Sequence, residues 1–192
     1  LALRREPIVS DLTTQFIVPG KTLSEIAKLL KEEEEAHLVI SQKHIVFRIG
    51  GYYVVSRLLE GEFLDYNAAI PKTSKTSVKV NTRSLTESVE RTSLLISDRL
   101  RSPIRLAVTE NKVQLSCSTT MGKAHDEVEC EVSGETVHMG FNNKYLLDAL
   151  KASDCDMIKL EINGALSPMR MIPLEGDSFL FLVLPVRVKN DD

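Results

Sequence analysis

One unit recurs along this chain at an interval of about sixty residues, and a repeat of that length restricts the fold more than any other feature. The segments Phe16 to Leu30, Val78 to Ser93 and Val137 to Ala152 each run from a β-rich stretch, through a short polar turn, into an amphipathic helix. Aligned on the turn they read Val18-Pro19-Gly20-Lys21-Thr22-Leu23, Val80-Asn81-Thr82-Arg83-Ser84-Leu85 and Phe141-Asn142-Asn143-Lys144-Tyr145-Leu146. Leu23 and Leu85 are 62 positions apart, and Leu85 and Leu146 are 61 apart. Lys21, Arg83 and Lys144 share one column, and Glu25, Glu87 and Asp148 share another.

Each helix is one-sided: Leu23, Ile26, Ala27 and Leu30 fall on one face of the first, and Leu85, Val89 and Thr92 on one face of the second. Strand-like segments follow each helix. They are Ala36 to Ser41, Ile45 to Ile49 and Tyr52 to Leu59; then Ile104 to Thr109, Lys112 to Ser118 and Lys123 to Val132; then Met157 to Ile162, Pro168 to Pro173 and Ser178 to Val188. Alternation in Arg105-Leu106-Ala107-Val108 and in Lys112-Val113-Gln114-Leu115-Ser116 gives each sheet one dry face. The unit is therefore strand, helix, three strands, and a pair of such units makes an α+β domain with sheets outside and paired helices inside. Two units fill a domain from about Thr76 to Val188, and the polar stretch Pro71 to Thr76 is the expected linker to a single unit before it. Leu1-Ala2-Leu3-Arg4-Arg5 reads as the interior of a strand, so the chain is expected to be a fragment of a longer protein.

Composition excludes several classes. No apolar run reaches the length of about 18 residues that a spanning helix needs, and no signal peptide is visible. The three cysteines, Cys117, Cys130 and Cys155, form no C-x-x-C pair, so neither a disulfide framework nor a zinc site is expected and a reducing cytoplasm fits. A net charge of -3 argues against coating nucleic acid by bulk positive charge and leaves room for local basic faces. His37, His44, His125 and His138 have no metal-ligand spacing and no companion nucleophile motif, Gly50-Gly51 reads as a turn, and Glu32 to Glu35 as a solvated helix end. No catalytic residue, metal or cofactor is expected.

Three further stretches carry a family resemblance. Ser56-Arg57-Leu58-Leu59-Glu60-Gly61-Glu62-Phe63-Leu64-Asp65-Tyr66 followed by Ile70-Pro71 resembles the junction of the second and third domains of the bacterial sliding clamp, the β subunit of DNA polymerase III. Gly140 to Leu150 resembles that family's last helix, and Leu166-Ser167-Pro168 with Leu182-Val183-Leu184-Pro185-Val186-Arg187 resembles its C-terminal strands. The resemblance runs in order from Leu1 and implies the DNA-clamp fold: residues 1–70 would be the C-terminal half of the middle domain and residues 71–192 the complete last domain.

It also implies a function: a non-catalytic processivity factor of DNA replication, a head-to-tail homodimeric ring that encircles duplex DNA without reading its sequence. Implied partners are the polymerase III α subunit, the clamp-loader δ subunit and other proteins with a short apolar clamp-binding motif, and no membrane. The DNA-facing candidates are Lys21, Lys28, Lys31, Arg83, Arg91, Lys144 and Lys151; taken singly, each also reads as a solvated surface charge. The docking cleft would comprise Leu1, Ala2, Leu64, Ala69, Asn142, Tyr145, Leu166, Pro168, Leu182, Leu184, Pro185, Val186 and Arg187, and without the resemblance the leucines and Tyr145 would read as packing residues. Two apolar anchors would contribute about 3 to 6 kcal/mol before the peptide is ordered, which corresponds to micromolar binding. A fragment without the first domain is expected to be a monomer or a dimer outside the ring arrangement. The competing reading is an α+β peptide-binding domain that never meets DNA.

Overall fold

The computed structural model describes residues 1–31, 35–97 and 102–188. Glu32, Glu33 and Glu34 of the acidic run lie outside the described residues. In chain order the elements are β1 (Ala2–Arg4), α1 (Gly20–Leu29), β2 (Ala36–Ile40), β3 (His44–Ile49), β4 (Tyr52–Arg57), a short 3-10 helix (Tyr66–Ala69), β5 (Thr76–Asn81) and α2 (Thr82–Ser93). There follow β6 (Ile104–Val108), β7 (Lys112–Thr119), β8 (Gly122–Gly134), β9 (Val137–Phe141), α3 (Asn143–Lys151), β10 (Met157–Ile162), β11 (Met169–Pro173) and β12 (Phe179–Val183).

The repeat is visible at atomic level in the helix starts. The N-cap residues are Pro19, Asn81 and Asn142, all from one column of the alignment. Asn81 accepts a hydrogen bond from the backbone N–H of Ser84 at 2.9 Å and Asn142 one from that of Lys144 at 2.9 Å, which satisfies a donor each helix would otherwise leave open. Pro19 makes no such bond. The stretch from Phe16 to Val18, expected as β-rich, forms no strand; only Ile17 takes part in a backbone pairing, accepting from Leu59 N at 2.9 Å. Strand β12 stops at Val183, short of the expected Val188, because Pro185 has no N–H to offer a ladder.

The chain divides into two compact units, Leu1–Pro7 with Tyr66–Asp192, and Ile8–Asp65. In the larger unit nine strands form one sheet in the order β1-β12-β11-β10-β5-β8-β7-β6-β9. Pairing is antiparallel throughout, and β8 links the two halves: its residues from Gly122 to Glu129 pair with β7, and those from Cys130 to Gly134 pair with β5. The equivalent pairs β5–β10 and β9–β6 show the repeat a second time. Helices α2 and α3 pack against one another over one core, where Leu85, Val89, Leu146, Phe141, Ile104 and Leu160 are all 0% exposed. The smaller unit is a three-stranded sheet, β2-β3-β4, with α1 alone. There Ile26, Ile45, Phe47, Ile49 and Leu58 are buried, while Leu23, in the column of Leu85 and Leu146, is 47% exposed.

Gly134 closes the β8–β5 seam at φ +121°, and a Cβ there would lie 2.0 Å from the backbone oxygen of Lys75. That oxygen cannot move without breaking the register between Thr76 and Gly134. Gly134→Ala is expected to cost about 2 to 4 kcal/mol, from a forbidden φ combined with a backbone collision, in chemical denaturation followed by circular dichroism.

Candidate functional site: an apolar cleft beside the last helix

The first turns of α3 lay a narrow stripe along one helix face, since Tyr145, Asp148, Ala149 and Ala152 are spaced i, i+3, i+4 and i+7. The two alanines keep that stripe low, so they leave a floor rather than fill it. Beside it, β12 and the chain that continues from it supply Phe181 to Val186, with Phe181, Leu182 and Val183 buried and Leu184 67% exposed. At the far end β1 lies antiparallel to β12: Leu1 N donates to Leu182 O at 3.2 Å and Leu182 N donates to Leu1 O at 2.9 Å. Together these residues enclose a cleft of ≈ 720 Å³. Its exposed apolar rim, Leu1, Tyr145, Leu184 and Val186, is what an apolar segment of a partner could cover.

Eight of the residues expected in the cleft line this one hollow: Leu1, Ala2, Asn142, Tyr145, Leu182, Leu184, Pro185 and Val186. Five are placed elsewhere. Leu64 is exposed in the Ile8–Asp65 unit, Ala69 ends the exposed 3-10 helix, and Pro168 is half-buried just before β11. Leu166 and Arg187 line a neighbouring hollow. Sequence reasoning missed Asp148, Ala149, Ala152, Phe181 and Val183; the first three could have been found by counting i+3, i+4 and i+7 from Tyr145. A larger hollow of ≈ 1020 Å³ lies in the Ile8–Asp65 unit, edged by loop residues such as Gln15, Gln42 and Glu60, and contains none of the expected cleft residues.

The expected DNA-facing cations occupy the helices. Lys21, Arg83 and Lys144 each stand at the second residue of their helix, Lys28 and Arg91 lie in last turns, Lys151 ends α3 and Lys31 follows α1. Several are matched by carboxylates: Lys28 with Glu25 at 2.8 Å, Arg83 with Glu87 at 2.8 Å, Arg91 with Asp126 at 2.8 Å, and Lys151 with Glu90 across the helix pair at 2.7 Å. The hydrogen bond and charge of Arg83 hold the Glu87 carboxyl below the usual carboxylate range. The helix face is thus mixed in sign. Among the described residues there is no group of three or more His, Cys, Asp or Glu side chains that could hold a metal ion. Among the described residues no helix is long and apolar enough to cross a membrane.

Repeated strand-helix-three-strand units, with paired helices backing a continuous antiparallel sheet, define the class of DNA sliding clamps. The comparisons agree. Residues 67–187 match the C-terminal domain of the DNA polymerase III beta subunit, and residues 1–65 match its central domain. A beta sliding clamp of Staphylococcus epidermidis is 33% identical over 191 residues, which cover 97% of this chain and 51% of that protein. The crystal structure of the DNA polymerase sliding clamp from Bacillus subtilis superposes with a TM-score of 0.91 at 30% identity, covering 98% of this chain and 51% of that one. A putative DNA polymerase III beta subunit from Eubacterium rectale gives a TM-score of 0.91 at 29% identity, covering 96% and 51%. The chain belongs to the DNA polymerase III beta subunit family and spans about half the length of these relatives.

Proposed function

We propose that the chain is the C-terminal part of a non-catalytic processivity clamp, with residues 1–70 completing a middle domain and residues 71–192 forming the last one. The full-length protein would be a head-to-tail homodimeric ring in the cytoplasm that encircles duplex DNA. It would hold the polymerase III α subunit, the clamp-loader δ subunit and other motif-bearing proteins in the cleft beside α3. The observation that carries the reading is the recurring cation at the second position of all three helices. A positive charge near a helix N-terminus opposes the helix dipole by about 0.3–1 kcal/mol, which an i,i+4 pair such as Arg83 with Glu87, worth about 0.2–0.5 kcal/mol, only partly offsets. The recurrence sets one positive charge at the same point of each helix, which suits phosphate without any base contact.

The neutralising carboxylates Glu25, Glu87 and Glu90 temper that charge, as a surface that must slide requires: contact with phosphates strong enough to centre the duplex and too weak to hold one register. In the Ile8–Asp65 unit the exposed Leu23 and Leu30 form the face that α3 covers for α2 in the larger unit. A further repeated unit of the middle domain is the cover we assign to it. The test is topological. Full-length protein loaded on nicked circular DNA is expected to stay bound through a salt wash and to be lost when the circle is cut. Equal retention on circular and linear DNA would mean ordinary binding and would exclude the ring.

A further inference from the structure

Glu25, Glu87 and Asp148 share one column of the repeat, and the third of them differs from the other two. Glu25 meets Lys28, three residues on, at 2.8 Å, and Glu87 meets Arg83, four residues back, at 2.8 Å. Asp148 has a lysine at each of those spacings, Lys151 and Lys144. Lys151 turns instead to Glu90 across the helix pair at 2.7 Å, and Lys144 is engaged elsewhere. An aspartate is also one methylene shorter than a glutamate, so its carboxylate stays close to its own helix. Among the described residues no hydrogen bond or ion pair reaches the Asp148 side chain; only its backbone carbonyl is used, by the N–H of Ala152 at 3.1 Å. This carboxylate lines the apolar cleft, where it is the one acidic group among the described residues. Two cations at the edge of the cleft have other partners: the Leu1 amino group donates to Leu182 O at 3.2 Å, and Arg4 is held by Glu6 at 2.7 Å. At about 1.5 Å of rise per residue, Asp148 stands about 4.5 Å along the axis from Tyr145 and about 6 Å from Ala152, in the middle of the stripe.

We propose that Asp148 is a specificity-determining residue of the cleft, pairing with a lysine or arginine carried within or directly beside the apolar anchor of the bound peptide. The inference rests on the peptide-docking reading above. A peptide lying along the stripe covers the Asp148 carboxylate and strips water from it. An anchor with no cation leaves that carboxylate desolvated and unpaired, which costs affinity, whereas a cation at the right position restores its partner. The long stem of a lysine or arginine can lie on the floor made by Ala149 and Ala152 while its charged head reaches the carboxylate. The central position of Asp148 sets the cation alongside the anchor rather than in a distant flank. Partners with equal apolar anchors are therefore ranked by the charge they carry at that one position.

Three fluorescent peptides sharing one Leu-and-Phe anchor test this. One has lysine directly before the anchor, one has lysine between its two apolar residues, and one has acetyl-lysine at both positions, which keeps the stems and removes the charge. Anisotropy titrations would be run at about 50 and about 300 mM salt, because exposed charge pairs are screened over that range. One of the two lysine peptides is expected to bind about three- to fivefold tighter than the acetyl-lysine peptide at low salt, and to lose most of that preference at high salt. Asp148→Asn, which keeps the size and shape of the side chain, should abolish the preference, and Asp148→Lys should invert it. Glu175→Gln, which removes an exposed charge outside the cleft, should leave it in place. Equal binding of lysine and acetyl-lysine peptides to the parent chain would overturn the role of Asp148 alone, as would a preference that survives Asp148→Asn or is lost equally in Glu175→Gln. Failure of every peptide, acetyl-lysine included, would overturn the cleft reading and this inference with it.

Discussion

Leu85→Ala and Leu146→Ala are each expected to destabilise the unit formed by Leu1–Pro7 and Tyr66–Asp192 by about 2 to 5 kcal/mol, whereas Leu23→Ala should cost less than about 1 kcal/mol. The three leucines fill one column of the repeat, so sequence alone gives them one role. Their surroundings differ. Leu85 and Leu146 are 0% exposed between two packed helices, and truncating either leaves a cavity that rigid neighbours cannot close. Leu23 is 47% exposed on a helix with no second helix beside it among the described residues, so its truncation removes surface rather than opening a hole. Urea denaturation followed by far-ultraviolet circular dichroism is the measurement, since the chain has no tryptophan. A loss for Leu23→Ala as large as for Leu85→Ala would mean that the α1 face is already covered.

The second large effect is expected at the ion cluster on the face of the sheet turned away from the helices. Glu161 on β10 is 8% exposed and receives Arg170 Nη2 from β11, while Lys159 Nζ lies 2.9 Å from its other oxygen. Arg170 Nη1 donates to the carbonyl of Pro71 at 2.8 Å, and its Nε has no partner among the described residues. Glu161→Leu would leave a largely buried guanidinium without its counter-charge, a loss of about 3 kcal/mol or more. The double replacement Glu161→Leu with Arg170→Leu should recover most of it, because two apolar neighbours no longer need desolvated charges to match. Denaturation midpoints of the two singles and the double form a mutant cycle, and strict additivity would show that the pair is not coupled. Arg170 is the cross-strand neighbour of Leu182, so a collapse of the cluster should also weaken binding in the cleft.

These sites mark where sequence reading succeeds and where it stops. Helix faces and strand alternation are local, and the 61–62 residue spacing placed all three helices in the right columns. Glu161 alternates with Leu160 and Ile162 as a solvent-facing residue would, and only the arrival of Arg170 and Pro71 from other segments buries it. The pairing of β1 with β12 joins residues about 180 positions apart, beyond the reach of periodicity; Leu1 and Leu182 could be set together only through the family resemblance. Ala149 and Ala152 carry no signal of their own, because a floor made by small side chains looks in sequence like ordinary helix filler. The strand expected before α1 is absent, and Phe16 to Val18 pair with the chain only through Ile17.

We propose that the cleft between α3, β12 and β1 receives a short apolar peptide. A fluorescent peptide with a Leu-and-Phe anchor should be titrated against the chain and against its Leu184→Asp, Pro185→Asp double variant. Leu184 is exposed and Pro185 lies beyond the last strand, so the variant is expected to keep its circular dichroism spectrum and melting midpoint. Saturable binding in the micromolar range, weakened at least about tenfold by a variant that remains folded, is the predicted result. Binding unchanged by the two aspartates, or no saturable binding by the parent chain, would contradict it.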